Sequence, residues 1–286
     1  MPVAQWMHVS KRYPDAKNLA VDDVSFSVDA GEIVVIVGPN GSGKTTCMEM
    51  VSGLRTPTSG KVMLQSEVVG TKSRGRQAIG VQLQEAGLPT RIRVREAIQA
   101  VACLYRDPGP VRDIVQRIGL DDQLSAMVDT LSGGWQRRLD IALACIGKPA
   151  LLILDEPTSG LDPVARAEIW EFLRELRSDG TAILASTHDL TEAEAFADQL
   201  IVLDRGKKVL EGSVDDILQQ AGGGVPGQLE WLLGKKLTEQ GLTVVNDGMS
   251  GQVHRDRKLI TGDSPLAANA LGRLAVETLT GKPYSA

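Results

Sequence analysis

An apolar run, Ile33-Val34-Val35-Ile36-Val37, leads directly into Gly38-Pro39-Asn40-Gly41-Ser42-Gly43-Lys44-Thr45-Thr46, and a helical pattern over 45–54 follows it. Five consecutive aliphatic residues read as a strand covered on both faces. The spacing G-x-x-x-x-G-K-[ST] works only with a strand entering it and a helix leaving it, and both are in register here. The glycines let backbone N–H groups turn inward around phosphate oxygens, and the helix N-terminus adds a favourable dipole. Lys44 is then placed to reach the β- and γ-phosphates and the Thr45 hydroxyl to ligate Mg²⁺. Residues Gly38 to Thr46 are therefore expected to cradle a nucleotide.

The rest of the chain to about residue 220 keeps an α/β rhythm. Val24, Phe26 and Val28 alternate with Ser25, Ser27 and Asp29, the period of a half-buried strand. Apolar runs at 151–154, 182–185 and 200–203 predict further strands buried on both faces. Over 164–178, Ala165, Ile169, Phe172, Leu173 and Leu176 fall on one helical stripe, with Asp162-Pro163 as its start signal. Buried strands separated by amphipathic helices predict a mainly parallel sheet. Residues 85–138 break the rhythm: helical patterns at 94–105, at 111–118 and after Ser132 read as a helical insertion into the α/β core.

The run Leu151-Leu152-Ile153-Leu154 ends in Asp155-Glu156-Pro157, which places two carboxylates at the ligand edge of a sheet. Asp155 is expected to hold Mg²⁺, through water as that ion usually prefers. Glu156, one residue further, is free to face the γ-phosphate and polarise a water. The strand carrying the pair is expected to neighbour the strand that feeds the phosphate loop.

With Leu131-Ser132-Gly133-Gly134-Trp135-Gln136-Arg137-Arg138 lying between these two motifs, the chain resembles the nucleotide-binding subunit of an ATP-binding cassette (ABC) transporter over residues 3–220. Further motifs of that family follow in order. Ser159-Gly160-Leu161-Asp162 is similar to its D-loop, His188 matches its switch histidine, and Gln84 its Q-loop glutamine. Tyr13 matches the aromatic that stacks on adenine. Trp135 departs from the family pattern, in which glutamine is commonest. The resemblance implies a phosphate-loop ATPase core with an N-terminal antiparallel β subdomain and an inserted helical subdomain. It implies that Ser132, Gly133 and Gly134 close on ATP held by a second, facing ATPase subunit, with Asp162 a further nucleotide-binding residue. His188 and Gln84 would sense the γ-phosphate, Gln84 also on the metal side. ATP and Mg²⁺ are the implied cofactors, and a polytopic permease the implied partner. The location implied is the cytoplasmic face of the membrane. The segments 84–88 and 93–97 look most like the exporter branch with separate membrane subunits.

A glycine-rich joint at 221–227 precedes a tail of about 60 residues, below the size at which a domain usually folds alone. Residues 226–281 resemble the C-terminal end of a PfpI-like protein of the class I glutamine amidotransferase-like superfamily, which implies a small α/β unit: a strand at 258–261 and a last helix at 264–279. That family's nucleophilic cysteine, histidine and acidic partner lie upstream of the matched segment, so no catalytic residue carries over. His254, Asp256 and Asp263 read as surface turn residues.

Composition narrows the partners. The chain has 286 residues, a net charge of −5, 42% hydrophobic residues and 23% charged ones. The length fits one large domain or two unequal ones, and the acidity leaves no broad basic face, so no nucleic acid is expected. Cys47, Cys103 and Cys145 share no close spacing, which fits a reducing cytosol and neither a disulfide framework nor a zinc site. No basic, apolar leader is read at the N-terminus, and no run approaches the ~18 apolar residues of a membrane span. The alternative to a transport ATPase is a soluble ABC-type ATPase acting on nucleic acid or protein complexes. Such chains usually carry two cassettes or a coiled-coil insertion, and neither is seen.

Overall fold

The computed structural model describes residues 2–14, 16–70, 78–83 and 91–220, together with strands at 253–256 and 259–262. The chain divides into two units, residues 1–219 and 220–286.

The first unit is built on two sheets. Strands β1 (Ala4–Lys11), β2 (Val21–Val28), β4 (Ser59–Leu64) and β5 (Glu67–Val68) form an antiparallel sheet in the order β2-β1-β4-β5. The second sheet contains β3 (Ile33–Val37), β6 (Ile79–Gln82), β7 (Leu151–Asp155), β8 (Ala182–Thr187), β9 (Gln199–Asp204) and β10 (Lys207–Ser213). Its order is β10-β9-β3-β8-β7-β6, parallel throughout except for the antiparallel edge strand β10. Every residue of β3, β7 and β8 is buried, as their unbroken apolar runs require.

Helix α1 (Lys44–Val51) follows the phosphate loop, with Cys47, Met48, Met50 and Val51 packed into the core shared with the antiparallel sheet. Trp6 of β1 stacks on Phe26 of β2 at 4.1 Å and donates its indole N–H to the Cys47 carbonyl at 3.2 Å. That contact ties the antiparallel sheet to the helix carrying the loop. Helices α2 (Val94–Ala102), α3 (Val111–Arg117) and α4 (Gly133–Cys145) supply the helical insertion. Residue 138, the expected end of the insertion, falls inside α4. The buried residues Leu139, Ile141, Ala142 and Leu143 carry that helix on to Cys145, because an apolar face continues across the expected boundary. Helix α5 (Pro163–Ser178) starts at an Asp162 cap and buries Ile169, Trp170, Phe172 and Leu173. Helices α6 (Leu190–Phe196) and α7 (Val214–Gln220) complete the unit. Trp170 and Phe196 stack at 5.0 Å and join α5 to α6.

The strand expected beside β3 is not its neighbour: β8 lies between β3 and β7. The register nevertheless puts Val37 opposite Thr187 and Ser186 opposite Asp155, so the C-terminal ends of all three strands share one edge. In such sheets that edge is where ligands bind.

In the second unit, β11 (Val253–Asp256) and β12 (Leu259–Gly262) form an antiparallel pair with His254 opposite Thr261. The strand expected at 258–261 is thus found one residue later, with an unforeseen partner. The helix expected at 264–279 lies outside the described residues.

Candidate active site

The loop between β3 and α1 takes its shape from glycines that cannot be replaced without collision. Gly43, the residue before α1, has φ +107°, and a Cβ there would sit 2.6 Å from the Ala20 carbonyl oxygen. At Gly38 a Cβ would meet the Leu203 carbonyl oxygen at 2.2 Å. The loop borders a cleft of about 450 Å³ lined by Tyr13, Asn40, Gly41, residues 43–46 and Glu156. Lys44 is 6% exposed, and its ammonium donates to the carbonyls of Gly38 at 2.7 Å and Pro39 at 3.2 Å. Burial lowers its pKa, while the charges of Glu156 and Asp155 act the other way. The Ser42 hydroxyl is buried inside the loop with no hydrogen-bond partner. An unpartnered hydroxyl and a partly desolvated cation in one glycine loop fit a bound polyphosphate.

The two expected metal-side residues meet directly. Thr45 Oγ1 donates to Asp155 Oδ2 at 2.8 Å, although they lie 110 positions apart. A hydroxyl and a carboxylate oxygen are the hard donors Mg²⁺ takes when phosphates supply the remainder. Among the described residues no cluster of three or more His, Cys, Asp or Glu could hold a metal by itself.

Glu156 has φ +50°, uncommon for a residue with a side chain, and its carboxylate lies 3.4 Å from His188 Nδ1. Ser186, which no sequence motif singles out, accepts from the Glu156 N–H at 3.0 Å and donates to Asp155 Oδ1 at 2.5 Å. One hydroxyl therefore orients both acidic residues. A serine following four apolar residues in a buried strand is the available signal.

Tyr13 stands at the cleft rim, its hydroxyl 3.3 Å from Thr46 Oγ1 and 3.4 Å from Glu49 Oε2. Gln84 lies outside the described residues. Ser132 caps α4 by accepting from the Trp135 N–H at 3.5 Å, and Ser132 and Gly133 are exposed. Neither they nor Gly134 line the cleft. Gly134 faces the D-loop-like turn instead: a Cβ on it would lie 3.5 Å from Leu161 Cδ2. Asp162 caps α5, accepting from the N–H groups of Val164 and Ala165 at 3.0 Å each. These bonds, that of Ala165 foremost, hold its pKa below the usual carboxylate value. Trp135 is half-buried under the guanidinium of Arg138, 5.1 Å from the ring centre.

A strand–glycine loop–helix phosphate site, with an acidic pair on a parallel strand two places along, defines a phosphate-loop nucleotide hydrolase. Comparison with known proteins makes the class specific. The family model described as ABC transporter matches residues 21–159, and a model described as AAA domain, putative AbiEii toxin, matches residues 128–194. The chain is 39% identical over 227 residues to Nod factor export ATP-binding protein I of Burkholderia lata, covering 77% of this chain and 74% of that one. It is 38% identical over 218 residues to the protein of that name from a Rhizobium strain, covering 74% and 71%. Among solved structures, an ATP-binding subunit of an ABC transporter superposes with a TM-score of 0.73 at 27% identity, covering 82% of this chain and 99% of that one. The ABC cassette MJ0796, solved as a dimer and also with ADP and inorganic phosphate after hydrolysis, gives 0.67 at 26% identity, covering 74% and 98%. The chain belongs to the ATP-binding subunits of ABC transporters. It is an ATPase of that family.

Proposed function

We propose that this subunit hydrolyses Mg-ATP between two facing cassettes and thereby drives an exporter whose membrane-spanning permease is a separate chain. The observation that carries the reading is the convergence of Lys44, Thr45, Asp155, Glu156 and His188 on one edge of the sheet, beside a cleft open to a nucleotide. Lys44 and the loop N–H groups hold the β- and γ-phosphates, and Thr45 and Asp155 hold Mg²⁺, which neutralises charge on the transferred group. Glu156 accepts a proton from the attacking water, with His188 beside it at the γ-phosphate. Tyr13 packs on the base, and Gln84 senses the γ-phosphate on the metal side.

The exposed Ser132–Gly133 cap offers N–H groups and a hydroxyl away from its own cleft, as needed to complete the site of a second copy or a related subunit. The dimeric cassette supports that pairing. Export is supported by the names of the relatives, and a separate permease by CbiO1 of Clostridium perfringens, described as part of the complex CbiONQ. Among the described residues no helix is long and apolar enough to cross a membrane. Through the permease, the subunit sits on the cytoplasmic face. The tail from residue 228 is a separate appendage without a catalytic role in hydrolysis.

The test is Glu156→Gln, which keeps hydrogen-bonding shape and removes basicity. General-base catalysis contributes about 10²–10⁴-fold, so phosphate release should fall by at least ~100-fold. ATP affinity should hold, and a dimer should accumulate with ATP on size exclusion. Asp155→Asn, which strikes the metal side, should weaken binding as well. More than about a tenth of wild-type turnover in Glu156→Gln would place water activation elsewhere, and loss of the ATP-dependent dimer would remove the two-cassette site.

A further inference from the structure

Behind the Glu156–His188 pair lies a second carboxylate that the reading above leaves unused. Glu192, in the first turn of α6, is 5% exposed. Its Oε2 accepts from Thr158 Oγ1 at 2.8 Å and from Thr187 Oγ1 at 3.1 Å. Its Oε1 lies 3.0 Å from Arg166 Nε of α5. Arg166 Nη1 donates to Asp189 Oδ2 at 2.9 Å, and Asp189 caps α6 by accepting from the Thr191 N–H at 2.9 Å. The turn after β7, helix α5, the end of β8 and the start of α6 thus meet at one buried carboxylate.

Both threonines sit beside the reacting pair. Thr158 is two residues after Glu156, and Thr187 immediately precedes His188. The left-handed backbone of Glu156 persists only if its surroundings hold it. Ser186 Oγ holds it from one side through the Glu156 N–H, and Glu192 holds the other side through Thr158. The carboxylate that anchors Thr158 also anchors Thr187, so the separation of Glu156 and His188 is set through Glu192.

We propose that Glu192 is a positioning residue for hydrolysis, fixing the Glu156–His188 geometry without touching the nucleotide. The proposal rests on Glu156 acting on the attacking water. A displacement of about 1 Å at reacting groups can cost ~100-fold in rate.

The experiment measures phosphate release and fluorescent-ATP binding by the full 286-residue chain. Glu192→Ala should lower kcat at least tenfold and leave ATP affinity within threefold. Glu192→Gln, which keeps the volume and one accepting oxygen, should restore most of the rate. In single-turnover measurements on the Glu156→Gln background, Glu192→Ala should add less than threefold, because the group it positions is already disabled. A residue that merely holds the fold would lower affinity together with kcat, and its loss would multiply with that of Glu156→Gln. Either result overturns the proposal, as does wild-type turnover in Glu192→Ala. If the alanine variant fails to fold, Thr158→Val cuts the same tie from the other end and should show the same kcat-only loss; wild-type turnover there overturns the proposal equally. An active Glu156→Gln protein removes the underlying reading, whereas an inactive one beside a fully active Glu192→Ala removes this inference alone.

Discussion

At the scale of single residues, the site holds a lysine in a place where its charge is costly. Lys44 is almost wholly buried and its ammonium rests on two loop carbonyls, with Asp155 and Glu156 as the acidic groups that act on its charge. Removing it leaves two carboxylates facing a polyphosphate with one fewer cation between them. Charge–charge energies in such partly desolvated settings are several kcal/mol. Lys44→Ala should therefore abolish detectable ATP binding, with the fold intact by circular dichroism; unchanged affinity for a fluorescent ATP analogue would take from Lys44 the role assigned to it. Glu156 shows a different use of position. Its backbone occupies the left-handed region at φ +50°, a conformation that costs on the order of 1–3 kcal/mol and collects at functional sites. No sequence pattern announces it, because the strain belongs to the turn and its anchors, not to the residue type.

At the scale of elements, legibility in the sequence follows the physics of burial. Strand β3 is readable to the residue because both its faces are covered and all five positions are aliphatic. Strand β1 escapes a pattern search because a register shift between Trp6 and Val9 breaks the alternation that would reveal it. Strand β4 escapes it because its first three residues are exposed. The position of β8 between β3 and β7 is a long-range pairing choice that a local pattern does not encode. Local chemistry does bring the candidate residues together: the glycine loop, Asp155, Glu156 and His188 meet at the expected sheet edge, while Ser186, which bonds both acidic residues, is a common residue with no spacing of its own. Helix α4 adds a testable charge. Asp140 lies on a groove between that helix, β6 and α2, and burial raises its pKa from the ordinary 3.8 to about 6, with Arg137 acting weakly the other way. The folded state thus binds this proton more tightly than the unfolded state, so stability falls as pH rises from about 4 to 6 and stays lower above that. A carboxyl held that far above its ordinary value corresponds to about 3 kcal/mol, and the group's partial exposure reduces this to ~1 kcal/mol through solvent screening. Asp140→Asn should raise the melting temperature by about 2–4 °C at pH 8 and leave it unchanged near pH 4. An equal change at both pH values would mean that the carboxyl's charge is not the cause.

At the scale of the whole molecule, the question is how much of the chain the ATPase requires. The described site residues lie between Tyr13 and His188, and the two sheets lie between Ala4 and Ser213. The core cluster that carries the phosphate-loop helix draws on residues from Ala4 to Leu203. Each large aliphatic side chain buried there is worth about 1.5–3 kcal/mol. The solved cassette MJ0796 superposes on 74% of this chain and is itself covered over 98% of its length, so almost the whole of that cassette is matched without the remaining quarter of this chain. Deleting residues from Gly222 onward should therefore leave affinity for a fluorescent ATP analogue within about twofold. The ATP-dependent dimer of Glu156→Gln should survive the deletion as well, because Ser132, Gly133, Gly134 and Asp162 all precede the cut. A drop of a few degrees in melting temperature is compatible with this boundary, since an appended segment can cover apolar surface without belonging to the core. Precipitation of the truncated protein, or loss of its ATP affinity, would mean that the tail completes the cassette core and that the boundary at residue 220 is misplaced.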